Sequence, residues 1–269
     1  MNLTTGPKAI YPTNDFFLNY TFKEKKNWET LRDINNIIIE AYQAYAPSTH
    51  LQTIQGPIVV ETQYAYYTSN KGKPKTQDFG IDTDESITFM EVQNNAFINP
   101  PLEIRARDYL AHSISLSLGN NKTKAVTQIW LLANDNEKLL NGQIFTNYVL
   151  TDETTGHQYP LQTNLMAISL KRLAKLENEG AQLAQFLSGY QLTPTTPRLN
   201  QIIKSLQTSM ITMKQDKEVS TYMSKWDEHA YTAKATGKAE AIAEMLEKMA
   251  EFVKKGLTAE EIMQQLQSS

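Results

Sequence analysis

An acid near the start of one strand and an acid–x–amide triplet at the end of the next are the residues of this chain best placed to do chemistry. Residues 77–82 read Gln-Asp-Phe-Gly-Ile-Asp, and residues 86–93 read Ser-Ile-Thr-Phe-Met-Glu-Val-Gln. Both read as strands, joined by an acid-rich turn. Paired as a hairpin, they can bring Asp78 and Glu91 side by side. Two adjacent carboxylates repel each other unless a cation or a shared proton lies between them. Hard oxygen donors of this kind suit Mg²⁺, which takes one or two carboxylates and keeps several waters. That is the donor set of a metal-dependent phosphodiesterase. The same spacing also fits a solvated hairpin turn, where acids are common.

The elements that must position these residues are legible in outline. Residues 1–14 read as an extended lead-in broken by Pro7 and Pro12. Asn14 can cap a helix that begins near Asp15. Trp28, Leu31, Ile34, Ile38, Ala41 and Tyr45 recur at helical spacing and predict a helix over residues 27–45, ended by Pro47. β-Branched and aromatic residues predict a strand over residues 58–69, followed by a turn at 70–75. Pro100 and Pro101 precede a helix over 102–118, closed by Gly119-Asn120-Asn121. Further strands are predicted over 126–133, 144–150 and 165–170. This order implies an α/β fold with a mixed central sheet flanked by helices. A strand–helix–strand crossover around residues 102–118 makes its two strands parallel.

After Lys171 the pattern turns helical, with helices predicted over 173–189 and 199–213 around the break Thr193-Pro194-Thr195-Thr196-Pro197. Ala235, Ala239, Ile242, Leu246, Met249 and Val253 follow a spacing close to a heptad seam, stopped by Gly256. The seam reads as a coiled-coil interface, and so a homodimer through the C-terminal helix, or as a helix docked on its own domain. The expected organisation is a core over 1–176, a helical extension over 177–232 and an amphipathic tail over 233–269.

Composition narrows the function classes. The chain has 269 residues, 41% hydrophobic and 20% charged, an ordinary globular balance. It has no cysteine, which excludes disulfides, thiolate metal sites and a cysteine nucleophile. No apolar run approaches the ~20 residues that span a membrane, and the start lacks a signal-peptide layout, so a cytoplasmic protein with no membrane partner is expected. A net charge of −3 gives no global pull toward nucleic acid, so DNA binding needs a local basic patch. The candidates are Lys71, Lys73 and Lys75, Arg105 and Arg107, and Lys171, Arg172 and Lys175, each also readable as plain surface charge. His50, His112, His157 and His229 show no metal-ligand spacing. The chain has neither a Gly-x-x-x-x-Gly-Lys-Ser/Thr loop nor a Gly-x-Ser-x-Gly elbow, which disfavours nucleotide-triphosphate hydrolysis and serine hydrolysis.

In order along the chain, several segments resemble the PD-(D/E)XK nuclease superfamily, and in particular the bacterial recombination-promoting nuclease/putative transposase (Rpn) family. They are Tyr11-Pro12-Thr13-Asn14-Asp15-Phe16 with Phe22-Lys23, then Asp78, then Glu91-Val92-Gln93. Arg105 and Tyr109, the strand Gln128-Ile129-Trp130-Leu131-Leu132, and the tail segments Gly237-Lys238-Ala239-Glu240 and Lys255-Gly256-Leu257-Thr258 follow. The resemblance is thin between about 178 and 225.

What the resemblance implies is a restriction-endonuclease-like core that cuts DNA with Mg²⁺, or Mn²⁺ in its place. Asp78, Glu91 and the Val92 backbone carbonyl would hold the metal. Gln93 shares a strand face with Glu91 and would orient a water or phosphate. It stands where the superfamily usually has lysine, and it cannot supply positive charge to the developing negative charge. Arg105 would contact a phosphate, or else form an ion pair with Glu103 or Asp108. Asp15 is a possible accessory acid, or simply a helix first-turn acid. The alternative function is a catalytically weak or inactive member that binds DNA or a protein through the same fold. Asp82, Asp84 and Glu85 compete with Asp78 for the metal role, and Asp82 lies nearer the turn.

Overall fold

The computed structural model describes residues 15–47, 49–66, 75–94, 101–117, 124–157 and 163–216. The chain separates into two compact units, Met1–Thr212 and Met213–Ser269, and of the second only the first few residues are described. The lead-in, the helix-closing residues 119–121 and the expected tail with its seam lie outside the described residues, as do residues 70–74 of the turn predicted over 70–75, whose last residue, Lys75, opens a strand instead.

Helices α1 (Asp15–Phe22) and α2 (Trp28–Tyr45) come first, joined by a short 3₁₀ turn. Strands β1 (Val59–Tyr66), β2 (Lys75–Asp82) and β3 (Ser86–Gln93) follow, then α3 (Leu102–Ser117) and β4 (Ala125–Leu132). A single-turn α4 (Glu137–Leu140) leads to β5 (Phe145–Val149) and β6 (Thr163–Ser169). Three helices close the described part: α5 (Leu170–Leu173), α6 (Glu179–Leu187) and α7 (Pro197–Gln215).

The strands form one mixed six-stranded sheet in the order β1-β2-β3-β4-β6-β5. β1, β2 and β3 pair antiparallel as a meander. β3 and β4 run parallel, as the crossover through α3 requires, β6 is parallel to β4, and β5 returns antiparallel to β6. Central parallel strands are covered on both faces, which is why residues 129–132 of β4 and 165–168 of β6 read as apolar runs.

Alternation along each strand divides the sheet into two faces. One carries Phe79, Met90, Ile129, Met166 and Ile168, all buried, and packs under α1 and α2. Phe22 meets Phe79 edge-on at 5.4 Å, and Tyr42 and Tyr45 flank Phe145 at 5.5 and 5.4 Å. The other face carries Trp130, Leu132, Leu165 and Ala167, which form one cluster with Leu102, Ala106 and Tyr109 of α3 and with Leu139 and Leu140. Among the described residues no helix is long and apolar enough to cross a membrane.

One predicted helix is wrong. Residues 173–189 form not one helix but the end of α5, an irregular stretch and then α6. The Asn178 side chain accepts the Ala181 amide at 2.8 Å and so starts a new helix at Glu179. The new axis lets α6 lie against α2 with Gly180 facing Ala41, where a Cβ would sit only 2.6 Å from the Ala41 Cβ. Arg198 of α7 then pairs with both Glu40 of α2 and Glu179 of α6.

Candidate active site

The β2–β3 ladder pairs Phe79 with Met90, and one step further along the hairpin Asp78 stands opposite Glu91. There the carboxylates take over from the backbone. The Asp78 amide donates to Glu91 Oε2 at 3.0 Å, and the Val92 amide donates to Asp78 Oδ2 at 2.9 Å. Each strand end thus offers its acid to the other strand's backbone N–H. These bonds satisfy amides at the point where the regular ladder stops.

Helix α3 supplies the next layer. Arg105 and Tyr109 are four apart, so they share a helix face, and that face meets the sheet. Arg105 Nη2 donates to Glu91 Oε1 at 3.0 Å and to the Tyr109 hydroxyl at 3.3 Å, while Nη1 donates to Gln93 Oε1 at 3.2 Å. Below it lies an aromatic floor. The guanidinium sits 5.4 Å from the Tyr109 ring centre and 5.7 Å from that of Trp130, and the two rings are 5.5 Å apart. Trp130 is there because the parallel register places it directly beside Glu91.

Glu91 and Gln93 are buried, at 6% and 7% exposure, while the Arg105 side chain keeps 22%. Asp78 and Arg105 are half-buried, so these two give the group its access to solvent. Burial works to lower the Arg105 pKa, but the Tyr109 hydroxyl and the Glu91 and Asp78 charges outweigh it and hold it above its ordinary value. Burial raises the Tyr109 phenol, and the Glu91 charge beside it raises it further.

Asp78, Glu91, Gln93, Arg105 and Tyr109 thus converge on one spot. Val92 joins through its amide. Asp15 is the first residue of α1, and its side chain lies outside the described residues. The expected ion pairs of Arg105 with Glu103 or Asp108 do not form: Glu103 pairs with Lys138, and Asp108 with its neighbour Arg107. Arg105 faces the sheet, so its acid is Glu91. The competing acid Asp82 pairs with Lys124 at 2.6 Å, and Asp84 and Glu85 are exposed. Of the candidate basic residues, Arg107 is held by Asp108 and Arg172 by Asp135 and Glu137. Trp130 was not singled out as a site residue from sequence, because nothing local says which strand neighbour it will stand beside.

The donor chemistry suits a hard divalent cation. Asp78 and Glu91 are carboxylates, which are hard oxygen donors, and Mg²⁺ needs only one or two such ligands from the protein. No group of three or more His, Cys, Asp or Glu residues that could hold a metal occurs among the described residues. Arg105 opposes a cation here, since it holds a positive charge against Glu91 Oε1.

The fold and this cluster define a mixed α/β protein with an Asp–Glu pair at the end of a β-hairpin, backed by an arginine on an aromatic floor. No protein-family model, curated protein or solved structure matches the chain.

Proposed function

We propose that this chain is a metal-dependent endodeoxyribonuclease with a restriction-endonuclease-like core, similar to the Rpn family. The observation that carries this reading is the meeting of Asp78 and Glu91, from separate strands, with Gln93 and Arg105 beside them. Asp78, Glu91 and the Val92 carbonyl would hold Mg²⁺, or Mn²⁺ in its place. When bound, the metal polarises a phosphate and lowers the pKa of a water on it.

The chain's own residues do the rest. Gln93 orients a water or a phosphate oxygen by hydrogen bonding. Arg105 is the only one of these groups that brings positive charge, and a guanidinium released from Glu91 and Gln93 can take a phosphate bidentately. It would then trade Glu91 for the substrate. The Tyr109–Trp130 floor keeps the guanidinium near that position in either arrangement.

A second reading rests on one specific observation: Arg105 already neutralises Glu91, and Gln93 replaces the charge that a lysine would bring. It makes the protein a weak or inactive nuclease that binds DNA or a protein through the same fold. Plasmid nicking by purified protein with Mg²⁺, Mn²⁺ or EDTA, run beside Asp78→Ala, separates the two. Metal-dependent nicking that the substitution abolishes supports the nuclease. Nicking by neither protein, with DNA still bound, supports the binding module.

A further inference from the structure

A separate cavity lies on the other face of the sheet, at the opposite ends of the parallel strands. Its volume is about 580 Å³, within the usual size of small-molecule pockets. Its floor is a row of three side chains across neighbouring strands: Thr88 of β3, Thr127 of β4 and Asn164 of β6. All three are buried, at 5%, 8% and 7% exposure. Two residues further along each strand, the same face carries Met90, Ile129 and Met166, which are core. The face therefore turns from apolar to polar in one step, on all three strands at the same level.

The roof is polar as well. Asn35 of α2 lines the cavity, is 1% exposed, and its Oδ1 has no hydrogen-bond partner. A buried acceptor left without a donor destabilises the fold unless a ligand or water supplies one. Asn164 Oδ1 accepts from Asn147 at 3.1 Å, and the same side chain carries an amide N–H₂ that can donate. The wall is held open by its own bonds. Asn36 donates to the Ile54 carbonyl at 2.9 Å and accepts the Ile54 amide at 2.7 Å, while Gln43 donates to the Leu51 carbonyl at 2.8 Å. These bonds pin the segment after α2 beside the cavity.

The lining also says what does not belong there. Asp84 and Glu85 stand exposed on its border, and no Lys or Arg is among its described lining residues, which disfavours phosphates and other anions. No Phe, Tyr or Trp is among them either, so a nucleobase finds no stacking surface. Hydroxyls and amides that both donate and accept match vicinal hydroxyl groups, which do the same.

We propose that this cavity binds a neutral polyhydroxylated small molecule of monosaccharide or cyclic-polyol size. Asn35, Thr88, Thr127 and Asn164 form the recognising group. The site shares no residue with the Asp78–Glu91 cluster and does not depend on the nuclease reading.

The test uses the full chain and saturation-transfer NMR with D-glucose, D-ribose and myo-inositol, with inorganic phosphate and spermidine as charged controls. Saturable binding of at least one of the three polyols, and none of phosphate, is the expected result. Thr127→Val, which exchanges the hydroxyl for a methyl of the same shape, and Asn35→Leu should each weaken that binding about tenfold, the worth of one hydrogen bond. Thr127→Ser should retain it. Thermal melts check that the variants fold, and Thr127→Val carries the test alone if Asn35→Leu does not. A cavity filled by water only would bind none of the polyols. That result overturns the proposal, as does polyol binding that survives the substitutions, or binding of spermidine alone.

Discussion

Arg105 on helix α3 donates to Glu91 at the end of strand β3 across 3.0 Å, so the one cation of the cluster stands against one of its two acids. A divalent cation at Glu91 must share that carboxylate with the guanidinium or displace it. Arg105→Gln removes the charge that faces the buried Glu91 carboxylate. The charge-assisted bond and the residual exposure of Arg105 together set the loss at about 1–2 kcal/mol. Mg²⁺ can then stand in for the missing charge, and a ligand that binds only the folded state raises stability by mass action. Thermal melts with and without Mg²⁺ should show a larger metal-dependent rise in Tm for Arg105→Gln than for the wild type. An equal rise in both proteins would sink the idea that arginine and metal compete for Glu91.

Asp78 has a structural task, accepting the Val92 amide at 2.9 Å, beside its proposed metal-binding one, and two substitutions separate them. Asn at position 78 keeps an oxygen that accepts the amide but loses the negative charge. Ala loses both. Asp78→Asn should melt within about 1 kcal/mol of the wild type, while Asp78→Ala should lose about 1–3 kcal/mol for the stranded amide. Mn²⁺ affinity, measured by calorimetry, should fall at least about tenfold in both. Wild-type Mn²⁺ affinity in Asp78→Asn would remove Asp78 from the metal site.

Tyr109 gives the cluster a pH signature at the alkaline end. Burial and the Glu91 charge raise its pKa in the folded state. The folded protein therefore holds the phenolic proton after the unfolded chain has released it. The sign follows: Tyr109 contributes its full stability below the unfolded tyrosine value of about 10, and the contribution is lost as pH rises from there through the folded value. Tyr109→Phe has no proton to lose. Urea midpoints measured from about pH 9 to pH 11 should fall less steeply for Tyr109→Phe than for the wild type. Parallel slopes would show that the phenol's surroundings do not favour its neutral form.

Gly180 tests how α6 reaches α2. A Cβ there would stand 2.6 Å from the Ala41 Cβ, and neither atom can swing away. Gly180→Ala should cost about 1–3 kcal/mol by overpacking. In a double-mutant cycle, Ala41→Gly should recover part of that loss, because the two changes act on one gap. Independent, additive effects would mean that the close approach is not the cause.

Much of this was legible before any coordinates. The β3 strand runs from Ser86 to Gln93 as its residue types predict, and the hairpin reading puts Asp78 beside Glu91 because a short turn leaves few registers. The parallel relation of β3 and β4 follows from the helix between them. What stayed hidden depends on neighbours distant in sequence. Asn178 looks like any polar residue until its side chain caps α6, and Arg105 has acids three and two positions away on its own helix yet pairs with Glu91 of the sheet. Trp130 joins the site through a register set by a 31-residue crossover between Gln93 and Ala125. The row Thr88–Thr127–Asn164 is invisible for the same reason: each residue is unremarked in its own strand, and only pairing aligns them.

Gln93 decides how well the proposed chemistry can run. Its Oε1 accepts from Arg105 at 3.2 Å, and it faces the same side as Glu91. Lysine at this position would bring a second positive charge into the cluster. It would repel the Arg105 guanidinium and attract Glu91, which weakens the hold of α3 on the strand end and frees Arg105 for a phosphate. The same charge would lie where negative charge builds up during phosphodiester hydrolysis, a placement that can contribute hundredfold effects in water-poor sites. The Arg105 side chain keeps 22% exposure, so solvent screens the charges of the cluster in part and a smaller gain is expected here. Gln93→Lys should raise the metal-dependent nicking rate about tenfold and lower Tm slightly. If nicking falls while Tm holds, glutamine is the working residue, and its task is to orient water or phosphate rather than to stand in for a missing charge.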